Sequence, residues 1–589
     1  MGCLFKVIPP RGWSRQWPRW EVLSFALCTA FTLAGPLAHA QADPAAQEVQ
    51  RQQERERALR QQQQPSPDVR LQEPAVVAPR TEIPDNETPC FTIGQIALAG
   101  YRHEHFRFAL EQVLADDATL IGRCLGARGI EVLIARVQNA IIAQGYVTTR
   151  VYARSQDIAS GVLVLTVVPG VVAHIRFAEP VDPRATQCNA VPASPGDLLN
   201  LRDIEQGLEN FKRLPTAEAD IRIEAVQGSD PQMGYSDLVI QYQQAFPFRL
   251  TASIDNSGSE ATGKYQGSIT LAYDNWWTLN DLFYINYNHD LGGGADGPHG
   301  SRAYALHYSL PLGYWSLAFN RSVSDYHQTV AGAFVSYQYS GSNETTELSV
   351  SRVLLRNAVR KTSATLKAFL RTASNYIDDT EIDVQRRRTA GWEFGLGHKE
   401  FIGESTLETN LAMRHGTGML SAEAAPEEAF GEGSSRFKLM TADLAASIPW
   451  TMDTPWGKQA LRYSFYGRAQ WNGTPLTPQD RFSIGSRYTV RGFDGENSLL
   501  AERGWFVRND WAAALGASGQ ELYLGLDYGE VAGPSAQTLV GRHLAGAALG
   551  LRGRAGHVSY EAWAATPVSQ PDNFKSATLN LGFTLSMSY

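Results

Sequence analysis

From Phe248 to Tyr589 the chain is a succession of short segments in which apolar or aromatic residues alternate with polar ones. Examples are Leu250-Thr-Ala-Ser-Ile-Asp, Tyr265-Gln-Gly-Ser-Ile-Thr-Leu-Ala-Tyr and Leu282-Phe-Tyr-Ile-Asn-Tyr-Asn. A period of two sends successive side chains to opposite faces of a strand. Repeated this often, with aromatics near the segment ends, it predicts a membrane β-barrel over 247–589 with one face to lipid and the other to a polar interior. Roughly seventeen segments can be marked, but a closed antiparallel barrel that starts and ends on one side of the membrane needs an even number. Sixteen strands at about 21 residues for strand plus connection fit the length, one segment being a loop or half of a longer strand. The last strand ends Phe583, Leu585, Met587, Tyr589, an apolar face closed by an aromatic.

The pattern upstream is different. Residues 1–40 carry Arg11, Arg15 and Arg19, an apolar stretch from Val22 to Ala34, and Ala38-His39-Ala40. That is the layout of a signal peptide, too short in its apolar part to span a bilayer as a helix. Residues 41–64 are rich in good helix formers with interleaved charges, with Asp43 placed to cap and Pro44 at the first helical position. A helix polar on every side must be bathed in water or lie in a polar cavity, and at roughly 33 Å this one is long enough to cross a membrane-sized pore. The prolines of 65–89 make an extended linker.

Residues 90–170 predict a compact module: a strand through Phe91, Ile93, Ile96 and Leu98; a helix near Phe106 to Leu114; a second helix through Ile130, Leu133, Ile134, Val137 and Ile141, stopped at Gly145; then strands at Tyr146–Ala153 and Gly161–Val168. Residues 171–246 repeat the order strand, helix, strand, strand, with Leu201, Ile204, Leu208 and Phe211 on one helix face.

Net charge is −8, which argues against nucleic acid as a partner. Of five cysteines, Cys3 and Cys28 lie in the leader. After export, Cys90 and Cys124 sit in an oxidising compartment, either bridged or as two buried thiols; Cys188 is left over. No nucleotide-binding, hydrolase or zinc-protease motif occurs, and His103-Glu104-His105 is read as solvated rather than as a metal site. No catalytic residue, metal or cofactor is expected.

One stretch breaks the barrel pattern. Tyr488-Thr489-Val490-Arg491-Gly492-Phe493-Asp494-Gly495-Glu496 lies between alternating strands at 460–472 and 505–511, so a long loop of about 30 residues, near 474–503, joins them. Downstream, Leu522, Leu524, Leu526 and Tyr528 share one face, and Tyr523, Gly525 and Asp527 the other. If the leucine face meets lipid, Asp527 points inward, where an Arg on an inward-folded loop can pair with it.

With these residues the chain resembles the two-partner secretion transporters, the TpsB family of filamentous haemagglutinin, haemolysin and contact-dependent-inhibition toxin translocators in the POTRA-barrel superfamily. The resemblance is carried by Val490-Arg491-Gly492-Phe493, by 520–529 with Gly525 and Asp527, and by Leu201-Arg-Asp-Ile-Glu-Gln-Gly-Leu208 of the second module. It implies α+β periplasmic POTRA repeats (90–170 and 171–246), a 16-stranded barrel with an N-terminal plug helix, and a loop locked to the wall by Arg491 and Asp527. It further implies an outer-membrane translocase that recognises the N-terminal secretion domain of a cognate exoprotein and exports it unfolded without nucleotide hydrolysis. Lipid, the barrel assembly machinery during biogenesis, and a monomeric state complete the expectation. The alternative it leaves is a barrel-assembly insertase, which usually carries more POTRA repeats.

Overall fold

A computed structural model describes residues 44–64, 67–71, 83–84, 87–226, 234–455 and 457–589. The expected leader and the capping Asp43 lie outside the described residues. Helix α1 (Pro44–Gln63) is followed by two α+β modules and a closed antiparallel barrel.

The first module packs helices α2 (Arg107–Asp116) and α3 (Ala127–Ala143) on a sheet in which Gln95–Ala99 pairs parallel with Val162–Val168, and Arg150–Ala153 adds antiparallel. Its core holds Phe106, Leu133, Val137, Ile141, Leu163 and Leu165. The strand predicted through Phe91 and Leu98 is two strands. Phe91–Thr92 pairs with Cys124–Leu125, and the chain turns at Ile93-Gly94 to enter the main sheet. The Cys90–Cys124 disulfide lies beside this small ladder, with the Cα atoms 5.4 Å apart. The strand expected from Tyr146 begins only at Arg150, because Tyr146 packs edge-on against His105 and Phe106 and its hydroxyl meets His105 Nε2 at 2.6 Å. Among the described residues no cluster could hold a metal ion, and Cys188 is exposed and free.

The second module repeats the plan with helix α4 (Leu201–Lys212), capped by the Asn200 side chain, on a sheet of Gly170–Phe177, Gly234–Gln244 and Ala217–Ala225. The buried stripe Leu201, Ile204, Leu208, Phe211 is the predicted one.

The barrel strands are β1 (Phe248–Asp255), β2 (Gln266–Asp274), β3 (Leu282–Asp290), β4 (Gly300–Leu312), β5 (Trp315–Ala331), β6 (Ser336–Arg356), β7 (Arg360–Ile377) and β8 (Arg387–Ile402). They continue as β9 (Ser405–Thr417), β10 (Lys438–Thr454), β11 (Gly457–Asn472), β12 (Arg503–Ala514), β13 (Glu521–Ala532), β14 (His543–Ala555), β15 (Val558–Ser569) and β16 (Asn580–Ser588). A further two-residue ladder, Thr380–Glu381, only extends the β7 hairpin. Closure of β16 on β1 leaves no unpaired edge, as a bilayer without backbone hydrogen-bond partners demands. Leu522, Leu524 and Leu526 face outward, while Tyr523 and Asp527 are buried inward.

The short turn 313–314 meets the second module, as do Arg356 and Lys361 on either side of the turn 357–359, and the longer connections lie at the opposite rim. This joint is dense. Arg213 donates to the Asn280 and Ser309 carbonyls, Asn210 to the Gly313 carbonyl, and Tyr314 to Asp203 at 2.6 Å. Burial pushes the Asp203 carboxyl up to about 6, against the Tyr314 hydrogen bond. A carboxyl raised on folding stabilises fully below its unfolded value and loses that contribution as pH rises through the folded one. The joint is therefore expected to hold more tightly at pH 5 than at pH 7.5, by at most about 1.4 kcal/mol, since pH 5 already lies above the unfolded value. Hydrogen exchange of α4 at the two pH values checks this, and Asp203→Asn should flatten the difference.

Candidate functional site

The loop at 473–502, between β11 and β12, folds back into the barrel instead of standing above it. It folds inward because its apolar residues have a place there: Phe482, Ile484, Val490, Phe493 and Leu499 form a buried cluster with Phe506, Val531, Leu544 and Phe574 of the wall and its loops. Burying side chains of this size contributes about 1.5–3 kcal/mol each. A short hairpin, Phe482–Ile484 against Leu499–Ala501, stiffens the neck.

At the tip, Arg491 is 2 % exposed and meets Asp527 three times. Nε donates to Oδ2 at 2.7 Å, Nη2 to Oδ1 at 2.7 Å, and the Arg491 backbone N–H to Oδ2 at 2.9 Å. Nη2 also reaches Asp510 Oδ1 at 2.6 Å. A planar guanidinium is suited to such a bidentate clamp, and here both carboxylates are drawn from the lumenal face of adjacent strands. Arg552 returns charge to Asp510 at 3.4 Å and to Glu521 at 3.0 Å, so the cluster extends along the wall.

Backbone approach makes the clamp possible. Gly525 lies directly under the guanidinium: a Cβ there would meet Nη2 at 2.5 Å. Gly546 on β14 lies against the Arg491 carbonyl, which a Cβ would meet at 1.7 Å. Gly492, at φ +109°, turns the tip, and its carbonyl accepts from Asn580 Nδ2 at 2.6 Å. Phe493 packs edge-on against Phe574, with centroids 5.6 Å apart.

Helix α1 lies in the lumen against this loop. Gln50 donates to the Gln479 and Arg481 carbonyls, Arg51 to the Gly495 carbonyl, and Ser486 to Glu54. On the wall side, Arg60 meets Glu347 of β6 at 3.0 Å, and Gln64, just past the helix, donates to Tyr284. Almost every contact is polar, as a helix without an apolar face requires. A cavity of about 430 Å³ remains between helix and wall, lined by charged side chains including Arg57, Lys367, Glu393 and Arg414.

Sequence reasoning brought out Arg491, Asp527, Val490, Gly492, Phe493 and Gly525, and the structure brings all six together. It missed Asp510, Gly546 and Arg487. Asp510 had a signal: in Trp505–Trp511 the tryptophans face outward, which puts Arg508 and Asp510 inside. Gly546 had none, since glycine is common in such strands. Arg487 acts at the barrel seam, where β1 and β16 pair only from Thr251↔Ser588 to Asp255↔Thr584. Beyond that ladder Asn256 substitutes for backbone, donating to the Leu581 carbonyl and accepting from the Phe583 N–H. Arg487 bridges Asn256 and Thr584 at 3.2 and 3.1 Å. Arg487→Ala is expected to remove roughly 1–2 kcal/mol from the seam and lower by a few degrees the temperature at which the barrel loses compact gel mobility.

A closed 16-stranded barrel bearing two periplasmic POTRA modules, with an inward loop, is the architecture of an outer-membrane protein transporter. Residues 234–553 match the family described as haemolysin secretion/activation protein ShlB/FhaC/HecB, and 91–170 and 171–225 match POTRA domains, the former of ShlB type. The chain belongs to that family, the two-partner secretion transporters of the outer membrane, which are transporters and not enzymes. It is 36% identical over 558 residues to the outer membrane transporter CdiB-2 of Burkholderia pseudomallei (strain 1026b), covering 90% of this chain and 93% of that one. It is 25% identical to the hemolysin transporter protein ShlB of Serratia marcescens, over 71% and 73% of the two chains. Among solved structures, CdiB from Acinetobacter baumannii superposes with a TM-score of 0.81 at 27% identity, covering 93% of this chain and 100% of that one.

Proposed function

We propose that the POTRA modules capture the N-terminal secretion domain of a cognate exoprotein and that the barrel passes the polypeptide outward unfolded, without nucleotide hydrolysis. Folding of the cargo outside supplies the direction. Arg491 and Asp527 hold the loop inside the lumen, and α1 occludes the bore until cargo arrives. The observation that carries this reading is a bore occupied by a helix held almost wholly through polar contacts, which water or a polar chain can replace. The protein works as a monomer in lipid, placed there by the barrel assembly machinery. Deleting 44–63 is expected to raise single-channel conductance several-fold in planar bilayers; unchanged conductance argues against occlusion. Depleting the protein should stop release of its exoprotein while other outer-membrane proteins assemble normally, the opposite of what an insertase would give.

A further inference from the structure

The lipid-facing wall is not uniform around the barrel. On β10 every outward position from Met440 to Met452 is apolar. On β4 to β8 charges appear on that face: Arg302 shares it with Tyr304, Arg321 and Asp325 with Trp315, Glu344 with Leu348, and Arg388 with Phe394, and those four aromatic or apolar residues are exposed on the lipid side. Arg302 meets Asp325 at 3.0 Å and Arg321 meets Glu344 at 2.9 Å, with side chains 32 to 58 % exposed. Arg388 donates to the Leu420 carbonyl at 3.1 Å and meets no carboxylate among the described residues. Three arginines thus face two carboxylates, and the belt is cationic.

Its height is set by the strands. Leu312 to Arg302 on β4, and Trp315 to Asp325 on β5, are each ten residues. At ~3.3 Å per residue and a tilt of ~40° that is about 25 Å, the height of the apolar band of an outer-membrane barrel. The pairs Val323↔Glu344, Glu344↔Thr372 and Thr372↔Arg388 carry the level on to β8. The belt therefore lies where hydrocarbon ends and headgroups of the outer leaflet begin. Arg321 starts four residues lower and reaches up to Glu344, as long cationic side chains do. Around the rest of the rim, Tyr265, Trp471 and Trp505 hold this boundary, the usual aromatic girdle.

We infer that the outer rim of β4 to β8 is a binding surface for a phosphorylated glycolipid of the outer leaflet. Arg302, Arg321 and Arg388 take its phosphates, for which the guanidinium fork is the matching donor. The hydroxyls of Ser342, Thr372 and Ser374, outward on β6 and β7, face its sugars. Leu306, Phe319 and Leu348, lower on the same wall, receive its acyl chains. Charge above apolar surface admits such an amphiphile in one orientation. Because Arg388 also holds the 418–437 loop through Leu420, the lipid steadies that loop.

The test titrates the full-length protein in detergent micelles with bisphosphorylated lipid A and reads the bound fraction by native mass spectrometry. Saturable binding is expected, about tenfold tighter than for lipid A stripped of both phosphates. Arg302→Gln/Arg321→Gln/Arg388→Gln should lose about tenfold, whereas Arg542→Gln/Lys575→Gln, exposed cations of other loops on the same rim, should lose none. Arg388→Gln alone breaks no ion pair and should weaken binding severalfold, which keeps the test standing if the triple variant loses heat-modifiable mobility. Wild-type affinity in both site variants overturns the inference. Displacement of the lipid by inorganic phosphate marks a free-anion site and overturns it too. Lipid-free dimers of the wild type that Arg388→Gln turns into monomers mark a contact between two copies instead.

Discussion

Replacing Arg491 with alanine is expected to reduce export of the partner protein at least tenfold while the barrel still inserts in the outer membrane. The substitution removes two side-chain hydrogen bonds to Asp527 and one to Asp510, while the backbone N–H bond to Asp527 can persist. Asp527 is 4 % exposed, so it is left as a buried anion whose remaining cationic neighbour is Arg508, 3.9 Å away. Breaking one side of a buried pair typically costs about 3–5 kcal/mol. That is enough to release the loop tip but small beside the sixteen-strand ladder that closes the wall. Asp527→Ala should behave similarly, and Arg491→Lys should rescue little, because an ammonium cannot span both carboxylates as the guanidinium does. The readouts are exoprotein in the medium and heat-modifiable mobility of the barrel. Normal export by both alanine variants would remove the clamp from the mechanism.

Gly546→Ala is expected to match Arg491→Ala in export, although it leaves every charged group in place. The added methyl would sit 1.7 Å from the Arg491 carbonyl and within 2.8 Å of its carbon. Both are main-chain atoms that cannot rotate away, so the tip must lift from β14 and the clamp opens with it. Gly516→Ala, in a turn with nothing within 4 Å of the added atom, serves as the control for handling a glycine change in the barrel; its φ of +59° makes it a mildly strained one. Protease access to the loop, at Arg487 or Arg491, should rise in Gly546→Ala and not in the control. A seated loop in Gly546→Ala would mean that the close approach at β14 is dispensable.

Much of this could be read along the chain. The inward direction of Asp527 followed from Leu522, Leu524 and Leu526 alone, because a strand in a membrane has only two faces and lipid takes the apolar one. Helix α1 was legible from its lack of any apolar face, and the two modules from helical spacing beside β-branched runs. Where reading failed, the cause was local: Ile93-Gly94 breaks a strand whose apolar spacing continues through it, and Tyr146 is taken from its predicted strand by aromatic packing on Phe106.

Alternation and composition therefore dictate a barrel, its modules, and a polar helix in need of a wet cavity, since these depend on which face of each element avoids water. Which residues meet across the lumen is another matter. Asp510 as a second anion for Arg491, Gly546 as the floor beneath the loop and Arg487 across the closing seam join positions tens to hundreds of residues apart. Their distances come from the register of sixteen strands around a closed cylinder, and register is a property of the whole circuit that no single segment carries.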